Sequence, residues 1–363
     1  MADPVTLQTV ADAANVSVST ASRALRGDPV ISEDSAARVR DAASSLNYRP
    51  LRRRKPAEQK TAHSPLAGKR LAVVTLGMDR SLVSLPVIGA SINGTEEALS
   101  SAGAQLQLLN VPDLSNVPAS HRGLELDGAF LLGAMQGPAV AQCANPWVRK
   151  LFTIPHVWLL GRPEGCDGDT VGANDMLVGT LAADYLADHG HRHVAFLNPK
   201  PDHVLMMHRE NGFIAQGLRR GLRVERYASA PPEGWTIPLK PPQTSESVQL
   251  LVDQLLEANP RPTALFAASD SVAAVAYGAL SKRDIRIGRD ISMISGNNDD
   301  ALIAGLHPAL TTFDIQPYEI GRAAVDQMAR LLSMTATPPD SVIGLEPKLV
   351  ERDSVRTLAT KGK

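Results

Sequence analysis

The chain has 363 residues, 44% of them hydrophobic and 21% charged, a soluble globular composition with room for two or three domains. No apolar run approaches the roughly 18 residues of a membrane span, and "MADPVTLQTVADAANV" lacks the basic-then-apolar pattern of a secretory signal, so a cytoplasmic protein is expected. Net charge is −1, yet residues 1–70 hold 12 Lys+Arg against 7 Asp+Glu, a basic head on an acidic body that suggests a polyanionic partner.

Residues 5–50 read as three short helices. Leu7, Val10, Ala11 and Ala14 recur at helical spacing behind Thr6, a suitable N-cap. Asn15 follows, and it tolerates a left-handed turn. Ser17 caps a second helix with Val18, Ala21 and Leu25 on one side, and Gly27-Asp28-Pro29 is a turn. Ser32 caps a third, with Glu33 and Asp34 in its first turn and Ala36, Val39, Ala43 and Leu46 inward. Small residues at the crossing (Ala11, Ala14, Ala21) suit a helix-turn-helix, whose second helix enters the DNA major groove. Val18 then meets a thymine methyl, Ser19 donates or accepts, and Arg23 pairs with a guanine edge. Thr6, Ser17, Thr20, Ser22, Arg26 and Tyr48 are placed for phosphates, which position without specifying. On spacing alone, a small three-helix cap or oligomerisation module stays open.

Residues 51–69, "LRRRKPAEQKTAHSPLAGK", read as a basic linker. From Arg70 onward short apolar runs alternate with helical stretches. Strands are expected at Gln105–Leu109, Gly128–Leu132, His156–Leu160, His193–Leu197, Ala264–Ala267 and Ile291–Ile294, after the opening "RLAVVTLG". Helices are expected at Ile92–Ala102, Val178–His189, Gly212–Arg219, Ser245–Ala258 and Ser271–Ser281. This alternation implies a doubly wound parallel α/β architecture, and its length favours two subdomains with ligands at the carboxyl ends of the strands, between them. The expected division is 70–170 with 305–335, and 171–304 with 336–352; residues 353–363 are a tail.

Cys143 and Cys166 have no ligand-like spacing, and His189, His191 and His193 straddle a helix end and a strand start, so neither metal nor cofactor is expected. No G-x-G-x-x-G after a strand, G-x-x-x-x-G-K-[ST], G-x-S-x-G or H-E-x-x-H is present, which argues against an enzyme.

The stretch "VTLQTVADAANVSVSTASRALRGDPVISEDSAARVRDAASSLNYRP" resembles the DNA-binding head of the lactose-repressor (LacI) family, at Val5, Thr6, Val10, Ala11, Ala14, Val16, Ser17, Thr20, Ser22, Arg23, Leu25 and Gly27. "GTLAADYLADHGHRHVAFL", "HRENGF", "RPTALFAASDSVAAVAYGAL", "DISMISGNNDD" and "PALTTFDIQPYEIGRAAVDQM" extend the resemblance over nearly the whole chain. It implies an all-α helix-turn-helix head followed by a periplasmic-binding-protein-like effector domain. It also implies a transcription regulator acting as a repressor, a homodimer on a pseudo-palindromic double-stranded DNA operator, and modulation by a small-molecule effector, a sugar or related metabolite. By resemblance Val18, Ser19 and Arg23 are the base-reading positions. The competing expectation is a solute-binding receptor of a sugar transporter.

The resemblance also supplies candidate effector contacts. Arg209 stands where the family's arginine grips the ligand, or is a surface arginine at a helix start. Asp270 binds a ligand hydroxyl or caps its helix. Asn174 and Asp175 are read as helix caps. Phe266 and Trp235 are candidates to stack on a sugar ring, with strand core the competing role for Phe266. Asn298 replaces a common effector-binding aspartate. The family's hinge leucine is missing, and Pro56 interrupts the hinge helix. Arg52, Arg53 and Arg54, with Lys55, either enter a narrow minor groove in its place or form a solvated tether.

Overall fold

A computed structural model describes residues 7–25, 31–45, 64–230, 238–239, 244–336 and 338–359. Thr6, Arg26, Tyr48, Arg52, Arg53, Arg54 and Trp235 lie outside the described residues, as does most of the linker. The chain divides into two compact units, Met1–Ala62 and His63–Lys363.

The first unit contains α1 (Leu7–Ala13), α2 (Val18–Leu25) and α3 (Glu33–Ser45). Its core is built from small side chains: Val10, Ala11, Ala14, Ala21, Ala24, Ala36, Val39, Ala42 and Ala43 are all buried. Small side chains among the described core residues let α1 cross α2 closely. Asn15 takes φ 53°, the left-handed turn its side chain tolerates, and Val16 N closes onto Ala11 O at 3.0 Å.

The second unit holds two six-stranded sheets. In the N-lobe, β1 (Arg70–Leu76) leads through α4 (Pro86–Ser101) to β2 (Gln105–Val111), and through α5 (Ala119–Arg122) to β3 (Gly128–Gly133). Then α6 (Pro146–Leu151), β4 (His156–Leu159) and β5 (Asp169–Ala173) complete the first pass. The chain then enters the C-lobe: α7 (Asp175–Asp188), β6 (His193–Asn198), α8 (Val204–Arg219), β7 (Arg223–Ala228), α9 (Thr244–Glu257), β8 (Ala264–Ala267), α10 (Asp270–Ser281), β9 (Ser292–Asn297), α11 (Asp300–Ile303) and β10 (Thr311–Asp314). It returns for α12 (Pro317–Ser333) and β11 (Val342–Leu345), and crosses once more to β12 (Lys348–Val350). The sheet orders are β2-β1-β3-β4-β5-β11 and β7-β6-β8-β9-β10-β12. All pairings are parallel except β10 with β12. The topological switch points therefore fall between β1 and β3 and between β6 and β8, where ligands bind in open parallel sheets.

Three boundaries differ from the sequence expectation. Residues 305–335 do not belong together: β10 pairs with β9 and stays in the C-lobe, while α12 packs on the N-lobe core. Residues 336–352 are likewise split, because β11 pairs with β5 and β12 with β10. Residues 171–173 remain in β5 on the N-lobe side. Long-range pairing decides these assignments, and nothing in local periodicity records it. The expected tail is also anchored: Ser354 is fully buried, its Oγ donates to Met293 O and accepts from Thr311 N, and Leu358 N reaches His189 O.

Helix starts moved too. α4 begins at Pro86 rather than Ile92, the proline occupying the first turn where its missing N–H costs nothing. α8 begins at Val204 rather than Gly212, so Gly212 is a mid-helix residue. A Cβ there would stand 2.0 Å from Met176 O, and one on Gly179 would stand 1.9 Å from Arg209 O. These two glycines let α7 and α8 cross at backbone contact, which seats Arg209 against α7. Among the described residues, no helix is long and apolar enough to cross a membrane.

Candidate nucleic-acid interface and effector cleft

In the head, Ser17 Oγ accepts Thr20 N at 3.1 Å and lies 2.8 Å from Thr20 Oγ1, so Ser17 caps α2. Ser32 Oγ accepts Ser35 N at 3.4 Å before α3. Ala21 and Ala24 face inward, and Val18 does not join them: it is 37% exposed, and Arg23 further along the helix is exposed as well. Of the expected apolar side Val18–Ala21–Leu25, Ala21 is buried and Val18 is not, while the Leu25 side chain lies outside the described residues. Ser19 and Ser22 lie on the same helix. A short helix that exposes an aliphatic group and a guanidinium behind an exposed serine cap fits base-edge readout with a phosphate clamp.

The lobes of the second unit meet at the carboxyl ends of their strands. Leu239 N donates to Gly77 O at 2.9 Å and Asp79 N to Leu239 O at 2.8 Å. Gln136, after β3, bridges to His203, and Val204 N donates to Met135 O at 3.2 Å.

The C-lobe floor of this cleft is a densely paired polar network. Arg209, 1% exposed, donates from Nε to Asp175 Oδ1 at 2.7 Å, and from Nη1 to Ala268 O at 2.8 Å and Gly296 O at 3.3 Å. Its Nη2 donates to Asn297 Oδ1 at 2.9 Å, which commits four of the five N–H groups of a guanidinium. Burial pushes the Asp175 carboxyl up while the Arg209 charge pulls it down. Arg209 is therefore neither a surface arginine nor at a helix start; it ties α8 to α7, β8 and β9. Asp175 is its ion-pair partner rather than a cap, whereas Asn174 does cap α7, accepting Leu177 N at 3.0 Å.

Asp270 is fully buried. Its Oδ1 accepts from Thr312 Oγ1 at 2.7 Å and from Ser295 Oγ, and its Oδ2 accepts Asp299 N at 2.7 Å. With three accepted bonds it acts as a strut at the sheet edge. Phe266 is also fully buried, 5.2 Å ring-to-ring from both Phe196 and Phe213. It is strand core, because a parallel strand covered on both faces turns every side chain inward. Asn298, at φ 54°, accepts Arg352 Nη2 at 2.9 Å.

Four groups at this edge escaped the sequence reading. Asn198, fully buried at the end of β6, accepts Lys200 N at 2.9 Å through Oδ1, while its Nδ2 has no partner among the described residues. Burial pushes the Lys200 amine down to about 8. His203 Nδ1 is buried without a described partner, and burial, then the Lys200 and Arg209 charges, push the ring down to about 3. Asp299 Oδ1 is likewise unpartnered, its carboxyl raised by burial and by the Asp270 charge. The available signal was "NPKPDH": polar groups held between prolines directly after a strand at the switch point.

The three adjacent histidines diverge. His189 Nδ1 contacts Tyr185 O, His191 lies between Thr263 Oγ1 and Arg356 O, and His193 Nε2 is 2.9 Å from Glu225 Oε1.

Comparison with known proteins fits both regions. Residues 6–50 match the bacterial regulatory proteins, lacI family, and residues 183–355 match a periplasmic binding protein-like domain. The ribose operon repressor of Escherichia coli is 27% identical over 96% of this chain and 99% of its own. The HTH-type transcriptional repressor PurR of Aliivibrio fischeri is 26% identical over 96% of this chain and 98% of its own. Among solved structures, a transcriptional regulator CelR–cellobiose complex superposes with a TM-score of 0.63 at 21% identity, covering 97% of this chain and all of that one. A LacI family regulator from Enterococcus faecium with bound ribose gives a TM-score of 0.61 at 20% identity, covering 79% of this chain and all of that one.

Proposed function

The chain belongs to the LacI family of bacterial regulatory proteins, and from that premise we propose that it represses transcription as a cytoplasmic homodimer on a pseudo-palindromic operator. Val18, Ser19 and Arg23 read base edges, while Ser17, Thr20 and Ser22, with Thr6, Arg26 and Tyr48, hold phosphates. A small effector, a sugar or related metabolite, binds where the carboxyl ends of the two sheets meet; two structural neighbours hold cellobiose and ribose. Effector and operator affinities are linked reciprocally. We assign no catalytic step, in keeping with relatives that are transcriptional repressors.

The observation that carries this reading is the pairing of an exposed Val18 and Arg23 on α2 with a two-lobed parallel-sheet body. A mobility-shift assay on DNA upstream of its own operon tests it. A sequence-specific shift is expected, and Arg23→Ala should weaken it by about 1–3 kcal/mol while relaxing preference at one base pair. No specific shift with any effector present would overturn the reading.

A further inference from the structure

The β6–α8 loop holds a half-buried lysine, Lys200, for which no ion pair is described, not even with Asp202 two residues on. Lys200 stands directly after β6, at the β6/β8 switch point. No described carboxylate is close enough to pull its amine back up. The same short loop presents the buried, unpartnered Nδ2 of Asn198 and the unpartnered Nδ1 of His203. It then opens the 16-residue α8, whose first turn has neither a side-chain cap nor an acidic residue. Val204 N is taken by Met135 O, which leaves the next amides of the first turn, and with them the positive end of the helix dipole, to favour an anion. Across the cleft the loop faces backbone, not acid: Gln136 bridges His203, and Met135 O accepts Val204 N. A half-buried ammonium without a counter-charge is costly to fold, so it marks a place where a ligand supplies the missing charge.

We propose that Asn198–Met206 is an anion seat, so that the effector carries a carboxylate or phosphate docked on the Lys200 ammonium, the Asn198 amide and the first turn of α8. The proposal rests on the effector reading above and narrows its ligand class. Neutral sugars alone would leave the lysine unbalanced. Arg209, on the described cleft floor, is already paired with Asp175.

The full-length protein tests this with inorganic phosphate and acetate as minimal probes, each titrated at fixed ionic strength against the thermal midpoint. Glucose 6-phosphate and gluconate follow, with glucose as the neutral parent. At least one anion should raise the midpoint saturably, and whether it is the phosphate or the carboxylate series identifies the group. Lys200→Met should weaken the apparent affinity about tenfold or more, while Lys200→Arg retains it. Circular dichroism without anion should show both variants folded. No saturable response to either series, or an unchanged response in Lys200→Met, overturns the seat. A neutral compound that alters operator affinity with the same potency in Lys200→Met also overturns it, and leaves the effector reading standing. Anion binding that is lost in Lys200→Met yet never moves operator affinity supports the seat and instead sinks the effector reading.

Discussion

At the carboxyl edge of the C-lobe sheet, β8 and β9 meet Arg209, Asp175 and Asp270, each with an almost complete set of partners, whereas adjacent β6 hands on to Lys200 and His203. Those two have no described ionic partner, although they lie in the same cleft wall. The contrast separates charge used for folding from charge held ready. A buried charge that is fully paired makes its own removal costly, because its partner is left behind. A buried charge without a partner opposes folding, and its removal relieves the fold. The sign of a substitution therefore distinguishes the two roles.

The largest effect is expected at Arg209. Arg209→Met leaves Asp175 buried and unpaired and should cost about 3–5 kcal/mol in urea unfolding. Adding Asp175→Leu should recover part of that loss, since the orphaned carboxylate is gone. If the double variant simply sums the two single losses, the pair does not act as a unit, and the contrast with Lys200 weakens.

Lys200→Met should go the other way and stabilise the ligand-free protein at neutral pH by as much as about 3 kcal/mol, a ceiling because the side chain keeps some solvent contact. The folded amine sits near 8 against an ordinary 10.5, so the unfolded chain holds the extra proton between those values. The penalty is complete below pH 8 and fades as pH rises to 10.5, where both states become neutral. Wild-type stability should climb through that window, and the gain from Lys200→Met should shrink with it. A gain that persists undiminished at pH 10.5 would mean that the substitution acts by packing rather than by charge.

The sequence made the head readable because its contacts are local. Ala11, Ala14 and Ala21 meet across one turn, Asn15 sets that turn, and Ser17 and Ser32 cap the helices that follow them. The α/β alternation was legible for the same reason: each strand shows its burial within a few residues. What escaped is what the chain joins across distance. Arg209 and Asp175 are 34 positions apart, and Asp270 meets Thr312 across 42. Family motifs pointed to Arg209 and Asp270 as ligand contacts, and only the fold shows them occupied by each other's neighbours. The division of β10, β11 and β12 between lobes was hidden for the same cause, since strand partners are chosen in space. Lys200 was passed over because an unpaired charge is visible only once its surroundings are known.

The smallest effect is expected at His203, and it shows whether the loop behaves as a unit. Near neutral pH the ring is uncharged, so His203→Gln should change little. Its folded value is depressed to about 3 from 6.5, so stability that is intact above pH 6.5 is lost as the unfolded chain takes up a proton below it. His191, buried between Thr263 and Arg356 and depressed to about 4, adds a second such group. Wild type should therefore lose stability below pH 6.5 with a slope that His203→Gln roughly halves, a difference of about 1 kcal/mol by pH 5.5. Lys200 and Arg209 both hold the His203 ring neutral, and of the two only Lys200 lacks a counter-charge. An anion bound at Lys200 should raise the His203 value and flatten the acid loss in wild type, with no such flattening in Lys200→Met. Acid unfolding that ignores bound anion would place His203 outside the reach of Lys200 and break the loop into separate groups.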